Sequence, residues 1–253
     1  MPEAAYRFGD LAFKTGALAE LDQTLRRWRQ DPGRSGKLLG FVNPHVYNQY
    51  QREAAVRDFL DRCDWVCVDG IGIVVASRLL YGAAPPRVVA TRLFDRALAW
   101  KDSKTRMTAV LIGGTPEQTP RAAAAINDAG GAWRIVGTID GFRNAEDYPY
   151  LLQPYSTVDA VLVGAGSPKS ERILLAARLA CPKALCWHIG GGTLSVHAGD
   201  KARAPGWLSA IGCEWLHRYV LEPHYRPRVH PGGAEFVRHA LKHRFSATRE
   251  CQS

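Results

Sequence analysis

Six short segments, apolar on both faces and separated by stretches of helical periodicity, set the tightest limit on what this chain can fold into. They fall at 37–42, 65–68, 108–112, 134–137, 160–163 and 184–189, and Gly, Asp or Pro bounds them. Helical patterns occupy 45–63, 72–81, 91–101, 118–128, 145–154 and 169–179. A strand apolar on both faces must be covered on both, and strands alternating with helices run parallel. The expected fold is α/β: a Rossmann-like, mainly parallel sheet with helices on both faces. A chain of 253 residues is long enough to bury such a core.

The pattern changes after residue 212. Glu214-Trp215-Leu216-His217-Arg218-Tyr219-Val220-Leu221 reads as a short amphipathic helix stopped by Pro223. Tyr225-Arg226-Pro227-Arg228 follows, then a basic helical segment over 234–245. The expected division is an α/β domain over 1–212 and a basic C-terminal helical appendage over 213–253, with few means of forming its own core. The net charge of +9 points to an anionic partner, and the basic character is concentrated in this tail, which also holds five of the eight histidines.

Other classes recede on simple grounds. No apolar run approaches the ~20 residues of a spanning helix. Met1 to Arg7 lacks a basic region followed by an apolar one, so the cytoplasm is the expected compartment. Cys63, Cys67, Cys181, Cys186, Cys213 and Cys251 lack zinc-site spacing and are expected to be free, mostly buried thiols.

In parallel sheets ligands bind beyond the carboxyl ends of the strands, so the strand exits carry the chemistry. Asp69, after the second segment, is an acid beside Gly70, placed to enter a cleft and take a proton from an alcohol; as a dipeptide alone, Asp-Gly is more often a turn. Gly113-Gly114-Thr115-Pro116 precedes a helix whose free N–H groups suit phosphate, or is simply a tight turn. Gly164-Ala165-Gly166-Ser167-Pro168-Lys169 opens like a dinucleotide fingerprint, but Lys169 stands where the third glycine belongs. Gly190-Gly191-Gly192 forms a third glycine-rich exit. Several such exits on one edge suggest a phosphate-bearing ligand.

In order along the chain, Asn43-Pro44, Asp69-Gly70-Ile71-Gly72, Pro86-Arg87-Val88, Gly113-Gly114, Gly141-Phe142 and Gly164-x-Gly166-x-Pro168-Lys169-x-Glu171 form a set. It continues with Ala198-Gly199, Arg203-Ala204-Pro205-x-Trp207, Gly212-x-Glu214-Trp215-Leu216-x-Arg218, Glu222-Pro223 and Arg226-x-Arg228. Over about Asn43 to Arg228 the chain resembles the WecG/TagA/CpsF family of glycosyltransferases. The resemblance implies inverting, metal-independent transfer from a UDP-sugar, as co-substrate, to a polyprenyl-diphosphate-linked saccharide, for bacterial cell-surface polysaccharide. It makes Asp69 the base and implies no cofactor and no metal site. Asn43, Arg87, Gly113, Gly114, Phe142, Gly164, Gly166, Pro168, Lys169, Ser170, Glu171 and Gly191 are the expected nucleotide-sugar contacts. Arg203, Arg218, Arg226 and Arg228 would meet the acceptor diphosphate or the anionic inner face of the cytoplasmic membrane, making the protein peripheral there. Self-association through apolar surfaces is also a family trait.

Several positions depart from the family pattern: Phe41 replaces a Thr, Arg92 an acid, Ser170 a Gln and Ser195 an Asp. The proton-transfer residue is kept while sugar recognition is altered, so Phe41, Arg92 and Ser195 are candidate specificity positions. An anionic or unusual donor sugar, or a nucleotide-binding homologue without transferase activity, are the alternatives. A nucleic-acid module is disfavoured because the tail lacks aromatic interleaving, and a nicotinamide enzyme because the third glycine and a ribose-binding acid are missing.

Overall fold

A computed structural model describes residues 6–101 and 106–250. Cys251 and the first five residues of the N-terminal stretch lie outside them. The chain opens with a hairpin of β1 (Tyr6–Phe8) and β2 (Leu11–Phe13), then α1 (Leu18–Gln30). β3 (Lys37–Val42), α2 (Pro44–Arg52), α3 (Ala54–Arg62), β4 (Trp65–Val68), α4 (Ile71–Tyr81) and α5 (Ala90–Leu98) follow. The middle comprises β5 (Met107–Gly113), α6 (Gln118–Asp128), β6 (Trp133–Ile139), α7 (Tyr148–Leu151), β7 (Ala160–Gly164) and α8 (Lys169–Ala180). Next are β8 (Leu185–His188), α9 (Gly191–His197), α10 (Gly206–Ala210), α11 (Glu214–Leu221), α12 (Arg226–Val229) and α13 (Gly232–Glu250).

All six expected strands are present and form one parallel sheet in the order β4-β3-β8-β7-β5-β6. Alternation along each strand divides the core into its two faces. Val42, Val68, Ile112, Val163 and Cys186 point to one, where α2, α3 and α8 pack. Leu39, Cys67, Leu111, Leu162 and Trp187 point to the other, against α1, α5 and α6. Neighbouring β5 and β7 therefore send their outgoing helices, α6 and α8, to opposite faces, which opens a crevice at their carboxyl ends.

Two expected helices are subdivided. The 45–63 stretch breaks at Glu53, which is extended and ends α2 while starting α3. The cause is a phase slip: Val46, Tyr47 and Tyr50 form one buried stripe, Val56, Phe59 and Leu60 another, and the spacing from Tyr50 to Val56 fits no continuous turn. The 145–154 stretch is two 3-10 turns around the four-residue α7, because Pro149 and Pro154 each deny the helix a donor.

Among the described residues the tail helices build no separate core. Phe236 and Ala240 of α13 are buried in the cluster on the α2 face, where Phe236 stacks on Phe8 at 5.6 Å and meets Tyr47 edge-on at 5.8 Å. Asn48 of α2 donates to the Gly232 carbonyl at 2.8 Å, and Arg52 pairs with Glu235 at 3.0 Å. Cys63, Cys67, Cys181, Cys186 and Cys213 are free thiols, the first four buried. Among the described residues no helix is long and apolar enough to cross a membrane.

Candidate active site

A cleft of about 790 Å³ lies along the carboxyl edge of the sheet, floored by strand exits and walled by α9–α12 and their loops. Three glycine-rich exits meet there. Gly113 pairs in register with Gly164, and a Cβ on Gly164 would come within 2.9 Å of the Gly190 carbonyl. At Gly113 φ is +134° and a Cβ would stand 2.5 Å from the Gly164 carbonyl oxygen. Both strain and collision bar a side chain, so Gly113→Ala is expected to lower stability by about 2–3 kcal/mol. Denaturant unfolding checks this; an unchanged midpoint would mean the exits are not packed this tightly.

Asp69 leaves β4 with its N–H bonded to the Val42 carbonyl at 3.0 Å. Segment 87–88 joins the sheet edge beside it, Val88 N–H donating to the Val68 carbonyl at 2.7 Å. That pairing brings the Ala90 N–H, at the start of α5, to 3.4 Å from Asp69 Oδ1. Burial pushes the Asp69 carboxyl up to about 6; the nearby Glu214 carboxylate adds to the rise, while the Ala90 N–H, Arg87 and Arg218 oppose it. The result is a carboxylate that is ionised at neutral pH yet basic enough to accept a proton.

Among the expected contacts, Asn43, Phe142, Gly114, Gly164 and Gly166 line this cleft with Asp69. So do Phe41, Arg92, Ser195, Arg203, Arg218 and Arg228. Asn43 is also the cap of α2, its Oδ1 accepting from Val46 N–H at 3.0 Å. Phe142 is 74% exposed on the rim. The others are not among its lining residues. Arg87 has its guanidinium against Gly212, Gly191 opens α9, and Pro168 caps α8. Ser170 is buried and accepts the Ala165 N–H at 3.0 Å, closing the loop from within. Lys169 reaches the Arg143 carbonyl at 2.5 Å, Glu171 is fully buried, and Arg226 folds back onto the Tyr219 carbonyl at 3.3 Å.

The basic wall is pre-arranged. Glu222 accepts from Arg218 Nε at 3.1 Å and from Lys201 Nζ at 2.7 Å. Burial works against the Glu222 charge, but Arg218 and Lys201 outweigh it and hold the carboxyl down at about 2. Tyr225 supports two cations, with Arg218 at 4.3 Å and Arg228 at 5.8 Å from its ring centre. Arg203 makes a two-pronged bond to Asp95, which His197 also approaches at 3.5 Å. With Arg121 bonding Asp200 at 2.6 Å, this ties the 198–206 loop to both α5 and α6.

Glu214, Glu222, Lys201, His217, His45 and His188 also border the cleft, though strand-exit reasoning does not single them out. Glu214 and Glu222 lie within the ordered motifs quoted above, which is the signal that could have found them. His188 ends an apolar strand, where a lone histidine reads as core. Among the described residues no group of three His, Cys, Asp or Glu side chains is arranged to hold a metal.

A nucleotide-sized cleft at the strand ends, one basic carboxylate on its floor and fixed cations around it suit group transfer with an anionic leaving group. A profile of the glycosyl transferase WecG/TagA/CpsF family matches residues 6–250, nearly the whole chain. The protein belongs to the WecG/TagA/CpsF family of glycosyltransferases.

Proposed function

We propose that this glycosyltransferase moves a hexose or N-acetylhexosamine, with inversion, from a UDP-sugar to a polyprenyl-diphosphate-linked saccharide in bacterial cell-surface polysaccharide synthesis. The observation that carries this reading is Asp69, a carboxylate lifted to about 6 at the floor of the cleft. In the proposed step the acceptor hydroxyl gives its proton to Asp69 as its oxygen attacks the anomeric carbon. The bond from that carbon to the nucleotide diphosphate breaks, and UDP leaves with the electron pair. No resident metal or cofactor takes part in this scheme. The charge on the departing diphosphate falls to backbone N–H groups of the glycine-rich exits and to fixed cations.

Arg218 and Arg228 suit the acceptor diphosphate, since each presents a planar fork of donors and is steadied on Tyr225. Trp207, Ile211, Leu216, Val220 and Leu221 are exposed along α10, α11 and the turn after α10, beside these cations. An apolar and basic surface of this kind supports peripheral docking on an anionic inner-membrane face. The test is a panel of UDP-sugars with short polyprenyl-diphosphate acceptors. Turnover with one donor supports the reading; absence of turnover with all of them, with UDP bound no better than NAD, would overturn it.

Arg92 favours a second reading, an anionic donor sugar. Its guanidinium lines the cleft, donates only a long bond to the Gly206 carbonyl at 3.5 Å, and makes no ion pair among the described residues. Arg92→Ala is expected to raise KM for a UDP-hexuronate about 10–100-fold and to leave a neutral UDP-hexose unchanged. Equal effects on both donors, or preference for the neutral one in the parent protein, would reject it.

A further inference from the structure

Glu171 and His188 form a buried pair that the transfer step above does not use. Glu171, in the first turn of α8, is fully buried, and neither carboxylate oxygen accepts a hydrogen bond. The side chain paired with it is His188, at the end of β8, whose Nδ1 lies 3.6 Å from Glu171 Oε1 and is likewise without a hydrogen-bond partner. A buried carboxylate needs a compensating donor or cation, and the imidazole edge is the group placed beside it. A histidine placed simply as core filling would have its ring nitrogen satisfied; this one does not.

The ring is 7% exposed, and that face lines the cleft. With Nδ1 facing Glu171, Nε2 lies on the cleft side, and in the imidazolium form both nitrogens donate, Nδ1–H toward the carboxylate and Nε2–H toward the cleft. Several groups on that side suit an anion. The buried Ser167 Oγ has no partner and borders the same space. His45, from the first turn of α2, and Arg228 line it too; burial and then the Arg228 and Arg52 charges press that imidazole down to about 4. The backbone of Gly164 to Gly166 completes the wall.

We propose that His188 binds a phosphate oxygen of the donor's diphosphate through Nε2–H, and that Glu171 is the positioning residue that orients the ring and balances its charge. The proposal deepens the nucleotide-sugar reading and rests on it for the identity of the ligand, so the test uses inorganic diphosphate alongside the nucleotide. Calorimetry would compare inorganic diphosphate, UDP, ADP, GDP and uridine on the parent protein, His188→Gln, His188→Phe and Glu171→Gln. Expected is a loss of about tenfold or more in affinity for diphosphate and UDP in both His188 variants. A smaller loss is expected in Glu171→Gln, and uridine affinity is unchanged throughout. If the buried Glu171→Gln does not fold, the two His188 variants decide the question on their own. Diphosphate that fails to bind the parent protein, or binds the variants equally well, overturns the proposal. Uridine affinity falling in step with UDP assigns the pair a purely structural role and overturns it too. A loss for diphosphate with no preference of the parent for UDP over other nucleoside diphosphates would keep the pair and reject the UDP-sugar reading.

Discussion

Asp69→Asn is expected to lower kcat by about 10²–10⁴-fold while nucleotide affinity stays within a few-fold. The amide keeps the size of the carboxyl and can still accept the Ala90 N–H, but it cannot take the acceptor proton. Single-turnover transfer and calorimetric UDP binding separate these effects. Two pH dependences follow from the carboxyl lying at about 6, chiefly through burial and then through Glu214. The ionised form is the active one, so kcat/KM of the parent protein should fall about tenfold per pH unit below about 6, and the residual rate of the variant should not. Stability moves the other way. Between about 4 and 6 the unfolded chain ionises this group before the folded one does, so its contribution is lost as pH rises through that window and stays lost above it. Asp69→Asn should therefore be more stable at pH 8, by on the order of 1–3 kcal/mol, with the gain vanishing near pH 4. Near-parental turnover by the variant, or an equal stability gain at both pH values, would remove Asp69 as the base.

The sheet is readable from sequence because its signal is repeated. All the strands but the edge strand β6 are apolar on both faces, and a helix pattern follows nearly every one, so an error at one element is corrected by its neighbours. The hairpin escapes such reading: three-residue strands are too short to show alternation, and Phe8, Leu11 and Phe13 look like any apolar scatter. Leu21, Leu25 and Trp28 do carry helical spacing, so periodicity in the N-terminal stretch is the signal that could have found α1. At the site the split has a different origin. Residues acting through a strand exit, such as Asp69, Gly114 and Gly164, could be placed because topology fixes where exits point. Lys169 and Ser170 stand in the same motif, yet one turns to the Arg143 carbonyl and the other inward to the Ala165 N–H; motif order does not encode side-chain direction. Glu214 raises Asp69 from an element far along the chain, a coupling that needs three dimensions.

Phe236→Ala should release the C-terminal helix and, with it, the cations that face the cleft. Phe236 is 5% exposed and is the large apolar anchor of α13 among the described residues, wedged between Phe8 and Tyr47. Truncating such a ring in a packed core costs about 3–5 kcal/mol. Other ties at this joint among the described residues include Ala240, the Asn48 bonds to the Gly232 carbonyl and Glu235, and the partly exposed Arg52–Glu235 pair, and an exposed pair contributes at most about 1 kcal/mol. Among the described residues the tail has no core of its own to make up the difference, because Phe236 and Ala240 belong to the cluster beneath α2. Loss should therefore appear first as local opening rather than as collapse of the sheet. Limited proteolysis should cut the variant within 226–250 under conditions that leave the parent intact, and the thermal transition should broaden or split. Transfer to a polyprenyl-diphosphate acceptor should fall with it, since Arg228 and the Tyr225 platform sit immediately before α13, while UDP binding at the strand exits persists. If protease resistance and acceptor KM both match the parent, Phe236 does not hold the tail in place, and the tail docks by its polar contacts instead.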